Sequence, residues 1–271
     1  MNVKRATIAF LLSVLQPGLG QAYNRQYRLS FAYILSAFTL FLLFGATGLA
    51  KSAGGFFTLG GVSVVGFLII TGHAVAAAAG TKKGAPLQAV NKLLLAPILA
   101  LSAGNLALSL SDYYLYPFAG LRGFKVPSES MSPTIEEGDR IMADMSAFQK
   151  AAPHRGDVVV VEMNVPGKTR TVKRVIAVGG DTLEGTEKGL LLNGKILQES
   201  YLRRPVSGSN NSITIFEELH IAPGQAFVLG DDREDSYDSR YWGPADLKSV
   251  NGKVLFIYWS RNLKRIGRKV E

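Results

Sequence analysis

Two uncharged apolar runs, residues 29–50 and 54–80, occupy most of the first third of the chain. Each is long enough to cross a hydrocarbon core, for which a helix needs roughly 17 to 25 residues. A third run at 93–110 is shorter but is continued by Ser111-Asp-Tyr-Tyr-Leu-Tyr-Pro-Phe118, whose tyrosines suit a membrane interface. The run at 6–15 is too short to span and is followed by the turn sequence Gln16-Pro-Gly-Leu-Gly20. It resembles the apolar part of a secretory leader, yet no small-x-small cleavage pattern follows, so it reads as retained anchor. These features predict an α-helical transmembrane region over 1–112, with a re-entrant or interfacial N-terminal segment and spans at about 29–50, 54–80 and 93–110.

A net charge of +9 with a mean hydropathy of +0.16 excludes a disordered basic chain and fits a cationic surface facing an anionic lipid bilayer. No helix-turn-helix, zinc or basic-aromatic motif accompanies the charge, so no nucleic-acid partner is expected. The chain has no cysteine, which rules out a disulfide framework and a thiolate metal site. Its three histidines, His73, His154 and His220, are scattered and build neither a metal site nor a triad. No cofactor is implied. His73 lies near one end of its run without an acidic partner, and Gly60, Gly61 and Gly66 with Ala74 and 76–79 are expected to permit close helix packing.

From 113 onward the pattern changes to short, β-branched, partly alternating segments bounded by glycine and aspartate, which predicts a mostly antiparallel β domain over 113–271. Strands are expected at 138–143, 155–162, 168–178 and 252–259. An inserted β subregion at about 182–222 carries a hairpin at Leu190-Leu-Leu-Asn-Gly-Lys195, since Asn-Gly favours a tight two-residue turn. The basic tail 261–269 reads as a solvated terminus.

Chemistry concentrates at three places. Ser128 and Ser130 sit between Pro127 and Pro133, which stiffen the backbone around them. Lys173 alternates with Val175 and Ala177 on one strand face, while Arg174 goes with Val172 and Ile176 on the other. A lysine can serve as a general base when burial lowers its pKa, and Ser-Lys pairs are a known variant of the hydrolytic triad. The third place is the acidic stretch 230–243, which taken alone is a solvated loop or a calcium site.

Together these stretches resemble the bacterial type I signal peptidases. Pro127-Ser-Glu-Ser-Met-Ser-Pro-Thr134 is similar to the nucleophile box, Lys173-Arg-Val-Ile-Ala-Val-Gly-Gly-Asp181 to the general-base box, and Gly230-Asp-x-Arg-x-x-Ser-x-Asp-Ser-Arg-Tyr-Trp-Gly243 to the last box of that family. The resemblance covers roughly 113–259 and implies the family's β-rich catalytic fold behind a membrane anchor. It implies Ser130 as nucleophile, Lys173 as general base, and the Ser128 hydroxyl with the Ser130 N–H as oxyanion donors. Ser236 would bond the Lys173 amine, Asp238 and Arg240 would pair to brace the site, and Gly230 would leave room beside the lysine. Asp232, Glu234 and Asp235 depart from the commonest pattern of asparagine, aspartate and asparagine, and added carboxylates raise a nearby lysine pKa.

The implied activity is endoproteolytic removal of signal peptides from exported preproteins with small residues before the cleavage site. The implied location is the bacterial cytoplasmic membrane, multi-pass, with the catalytic domain on the extracytoplasmic side. Two alternatives stand beside it: a Ser-Lys membrane protease dedicated to one secretion or pilus substrate, and an inactive membrane binding protein that kept the fold.

Overall fold

The computed structural model describes residues 3–80, 120–163, 169–203 and 215–271, apart from the side chains of 38 and 40–46. The expected span at 93–110 lies outside the described residues. Two compact units divide the chain, within Met1–Ala119 and Gly120–Glu271.

The first unit is helical. α1 (Val3–Leu15) is followed by α2 (Leu19–Tyr23), α3 (Tyr27–Thr47), a single 3-10 turn at Leu49–Lys51, and α4 (Ala53–Gly80). Pro17 and Gly18 end α1. Gly18 takes φ 103, and a Cβ there would meet Ile34 Cγ1 at 2.9 Å, so glycine is required. Ser30 Oγ donates to the Gly18 carbonyl at 2.7 Å and fixes the turn against α3.

Side chains of the turn then tie it to α4. Gln21 Nε2 donates to the Ile70 carbonyl at 2.6 Å, and Asn24 donates to the Ala74 carbonyl at 2.8 Å. Close packing falls at Ala9, Ala74 and Ala78, all buried, and at Gly20, where a Cβ would stand 2.2 Å from Ser13 Oγ. Of the small residues expected to pack, Ala74 and Ala78 do so, while Gly60, Gly61 and Gly66 meet nothing within 4 Å among the described residues. Small residues serve packing only where a second helix approaches. Tyr33 meets the His73 ring edge-on at 6.4 Å. Among the described residues one helix, Ala53–Ala79, is long and apolar enough to cross a membrane, and its Val64, Val65, Leu68 and Ile69 are exposed.

The second unit is mostly antiparallel β. Its strands are β1 (Leu121–Lys125), β2 (Arg140–Asp144), β3 (Val158–Glu162), β4 (Arg170–Val178), β5 (Thr182–Thr186), β6 (Gly189–Leu192), β7 (Lys195–Ile196), β8 (Phe216–His220), β9 (Gln225–Leu229), β10 (Ala245–Asp246) and β11 (Val250–Trp259). A short helix, α5 (Ser239–Trp242), precedes β10. The larger sheet runs β1-β2-β11-β3-β4-β9-β10 and the smaller runs β7-β6-β5-β8. Among the described residues every strand pairing is antiparallel, as the alternating segments predict.

β3 is covered on both faces. Val158 and Val160 join a cluster with Met131, Ile135, Ile141 and Ile257, whereas Val159 and Val161 join Val175, Val228 and Val250 on the opposite side. The smaller sheet closes over a third cluster built on Leu183, Leu190, Phe227 and Leu229. The hairpin turn at Asn193-Gly194 has φ 52 and φ 74, the doubly left-handed geometry that asparagine and glycine tolerate.

The C-terminal tail departs from expectation. Val270 is buried in the first cluster, and Ile257 and Leu255 exchange backbone hydrogen bonds with Gly267, Arg268 and Val270. Arg265 is buried against the loop that follows the paired serines, donating to Asp139 Oδ2 at 2.8 Å and to the Thr134 carbonyl at 3.0 Å. Burial raises the Asp139 carboxyl and the Arg265 hydrogen bonds lower it, the net shift being downward. The tail was legible as basic, but basic residues also serve as buried ties when a carboxylate waits for them.

Candidate active site

The loop between β1 and β2 carries the serines. Val126 N–H donates to the Asp139 carbonyl at 2.9 Å and Gly138 N–H to the Val126 carbonyl at 2.8 Å, so the loop closes on itself at its base. Met131, 1% exposed, and Ile135 plunge into the core from its middle. Burying two large side chains on either side of Ser132-Pro133 holds the preceding serines at the surface of the cluster. Ser130 is thereby half-buried, with its Oγ 3.3 Å from Ser128 Oγ.

β4 brings the lysine. Lys173 is 2% exposed, and its Nζ lies 2.9 Å from Ser130 Oγ, 3.1 Å from Thr171 Oγ1 and 3.1 Å from the Val172 carbonyl. An amine nitrogen has three positions besides its bond to Cε, and three neighbours surround this one. In its neutral form, two N–H groups donate to the Val172 carbonyl and Thr171 Oγ1, and the lone pair faces the Ser130 hydroxyl. Burial pushes the Lys173 amine down from 10.5 to about 8; the carboxylates of Asp238, Asp231 and Asp235 work against this and Arg240 assists it. A serine hydroxyl against a dry lysine amine is the constellation of a Ser-Lys hydrolase.

The segment after β9 supports the serine from behind. Asp232 N–H donates to the Ser130 carbonyl at 3.1 Å. A Cβ on Gly230 would stand 2.4 Å from that carbonyl and 2.2 Å from Ser236 Oγ, so the glycine makes room for the serine peptide and Ser236. Ser236 is buried, but its Oγ has no hydrogen-bond partner among the described residues. The expected bond from Ser236 to the Lys173 amine is therefore absent, since Thr171 and the Val172 carbonyl fill those positions. Asp238 and Arg240 do pair, with Arg240 Nε donating to Oδ1 at 2.8 Å and Nη2 to Oδ2 at 2.9 Å. Asp238 also accepts from the Gly230 N–H at 3.0 Å and caps α5, which links the brace to the glycine.

Arg174 occupies the opposite face of β4 from Lys173, as the alternation requires, yet it is equally buried. Its Nε and Nη2 donate to Asp231 at 2.8 and 2.7 Å, and Nη1 donates to the Gly156 carbonyl at 2.9 Å. Sequence reasoning missed this pair; the adjacency of Asp231 to Gly230 in the last box was the available signal. The three departing acids separate by role. Asp232 Oδ1 accepts from the backbone N–H groups of Glu234 and Asp235 at 3.3 Å each, shaping the turn. Asp235 is among the carboxylates whose charge holds the Lys173 amine up against burial. Asp235→Asn is thus expected to shift the acid limb of the pH–rate profile to lower pH, because loss of a negative charge disfavours the ammonium. An unmoved limb would show that this carboxylate is remote from the amine.

His154 and His220 are exposed, with side-chain accessibilities of 83% and 79%, and neither approaches the serines. A cleft lined by Phe124, Val126, Pro127, Met131 and Val172 opens directly onto Ser128 and Ser130. β4 pairs with β3 over 170–174 and with β9 only from Arg174 onward. Its edge at 170–172 is therefore unpaired, among the described residues, on the side bordering that cleft.

Residues 106–259 match the family model described as signal peptidase, peptidase S26. The chain is 32% identical over 145 residues to signal peptidase I of Leptolyngbya laminosa, covering 51% of this chain and 68% of that one. It is 34% identical over 144 residues to signal peptidase I of Bacillus caldolyticus, covering 50% and 78%. Against the probable thylakoidal processing peptidase 2 of Arabidopsis thaliana it is 32% identical over 141 residues, which is 49% of this chain and 37% of that longer protein. The chain thus spans less than half the length of the plant relative it matches. A serine hydroxyl against a buried lysine amine on a mostly antiparallel β unit, together with these matches, defines the class; the chain belongs to the signal peptidase family, peptidase S26.

Proposed function

We propose that this protein is a membrane-anchored serine endopeptidase that removes signal peptides from exported preproteins with small residues before the cleavage site. The observation that carries the reading is the 2.9 Å approach of the buried Lys173 amine to Ser130 Oγ. The preprotein lies extended along the open edge of β4, where backbone hydrogen bonds hold it with its scissile carbonyl over Ser130. Neutral Lys173 takes the hydroxyl proton as Ser130 Oγ bonds to the carbonyl carbon. The Ser130 N–H, which no backbone carbonyl accepts among the described residues, and the Ser128 hydroxyl stabilise the oxyanion. Such donors contribute roughly 2.7 to 4 kcal/mol each. The Lys173 ammonium protonates the leaving amine as the C–N bond breaks. A water, deprotonated by Lys173, then attacks the ester, releasing the signal-peptide carboxylate and restoring Ser130. Incubation of the purified full chain with a panel of preproteins, with product N-termini identified, tests the reading: cleavage after the signal peptide of several unrelated preproteins supports it, and cleavage of a single one points to a dedicated processing enzyme.

The anchor is proposed to place the catalytic unit on the extracytoplasmic face of a bacterial cytoplasmic membrane. Three spans, α3, α4 and 93–110, follow an N-terminal segment that does not cross. α1 has 13 residues, about 20 Å of helix against a core of about 30 Å. Ala9, Gln21 and Asn24 all contact the stretch of α4 from Ile70 to Ala78, near the end that leads into Lys82 and Lys83. Lys4, Arg5, Arg25 and Arg28 then share a side with those lysines, as the positive-inside bias requires. Single cysteines at Asn2, Asn24, Ser52 and Gly84 of this cysteine-free chain check the topology. Only the Ser52 position is expected to react with an impermeant reagent from outside, and labelling at Asn2 would mean that the first segment spans.

A further inference from the structure

The inserted subregion reaches the catalytic centre through a short segment after β7. Glu199 forms a bidentate pair with Arg233, whose Nη1 donates to Oε2 at 3.0 Å, and their side chains are 7% and 6% exposed. Arg233 Nε donates to the Gly230 carbonyl at 3.0 Å, and the Arg233 carbonyl accepts from Arg240 Nη1 at 2.9 Å. Two guanidiniums therefore brace the loop whose Asp232 N–H grips the Ser130 carbonyl, that of Arg233 at Gly230 and that of Arg240 at the Arg233 carbonyl. Tyr201 joins the two halves of the site: its hydroxyl donates to Glu199 at 2.6 Å, and its ring lies 4.0 Å from Arg174 Cζ, covering the Arg174–Asp231 pair. Farther along, Arg203 Nη2 donates to Ser132 Oγ at 2.8 Å, two residues past the nucleophile.

We infer that Glu199 and Tyr201 are positioning residues, through which the inserted subregion clamps the 230–240 loop and the serine loop into reactive register. This rests on the proposed Ser130–Lys173 hydrolysis. A buried carboxylate bonded at both oxygens to a buried guanidinium is costly to build and rigid once built. Its rigidity passes to Gly230 and Asp232, the two residues in contact with the Ser130 peptide. Neither Glu199 nor Tyr201 borders the cleft in which the substrate lies, so the clamp acts on the reacting geometry and leaves substrate binding alone. Small displacements of a nucleophile are expensive, with about 1 Å worth up to 10²-fold in rate.

The test uses the full chain in detergent micelles, with steady-state cleavage of one preprotein and thermal unfolding followed by the fluorescence of Trp242 and Trp259, which both lie in the second unit. Glu199→Gln is expected to lower kcat at least tenfold, and Tyr201→Phe about threefold, with KM within twofold of the unsubstituted protein. Leu219→Ala, a substitution in the same subregion that packs against its core and not against the clamp, is expected to lower the melting temperature while leaving kcat unchanged below it. Should Glu199→Gln not fold, Tyr201→Phe, which keeps ring and shape, decides. An unchanged kcat in a folded clamp variant, or an equal loss in Leu219→Ala, overturns the inference. Inactivity of the unsubstituted protein would instead overturn the proposed hydrolysis itself, so the two failures are distinct.

Discussion

Preprotein cleavage by Ser130→Ala and by Lys173→Ala is expected to fall by roughly 10⁴-fold or more in each case, with the double substitution no worse than either alone. Two groups that perform one proton transfer cannot lose it twice. Lys173 is nearly inaccessible and contacts Ser130, Thr171 and the Val172 carbonyl, so alanine there also removes the only base within reach of the hydroxyl among the described residues. Unfolding followed by the fluorescence of Trp242 and Trp259 should show both variants folded. Additive losses in the double substitution would mean that the serine and the lysine act in separate steps.

The second large effect is on stability. Arg174→Ala is expected to destabilise the second unit by roughly 3 to 5 kcal/mol, because it strands the Asp231 carboxylate in the core. Against a total stability of about 5 to 15 kcal/mol that loss lowers the melting temperature by roughly 6 to 20 °C. The paired substitution Arg174→Met with Asp231→Leu should recover much of it, since neither charge is then left alone. A melting temperature unchanged in Arg174→Ala would show that water reaches the site and screens Asp231. The Tyr201 ring over the guanidinium argues otherwise.

What could be read beforehand depended on the range of the interaction. The strand positions follow from β-branched alternation and from turns at glycine, and the observed β3, β4 and β11 begin within two residues of the expected starts apart from the Arg155-Gly156-Asp157 turn before β3. That Ser130 and Lys173 stand together was readable because each lies in a local pattern. Arg174–Asp231, Arg233–Glu199 and Arg265–Asp139 were not, since each joins residues far apart in the chain and only the fold decides which basic side chain meets which acid. Alternation put Arg174 on the face opposite Lys173 but could not show that both faces of β4 are buried. The expected Ser236 bond failed for a related reason, as Thr171 on the lysine's own strand reaches the amine first.

As the proposed base, Lys173 must be neutral to act. The pH dependence of kcat/KM for one preprotein reports the essential groups of the free enzyme. The Lys173 amine is held down to about 8 by burial, so the base is protonated and idle below that value and free above it. The rate is expected to rise with pH through a limb centred near 8 and to fall tenfold for each unit further into acid. A profile flat across that range, or a limb centred well above it near the ordinary lysine value, would contradict it.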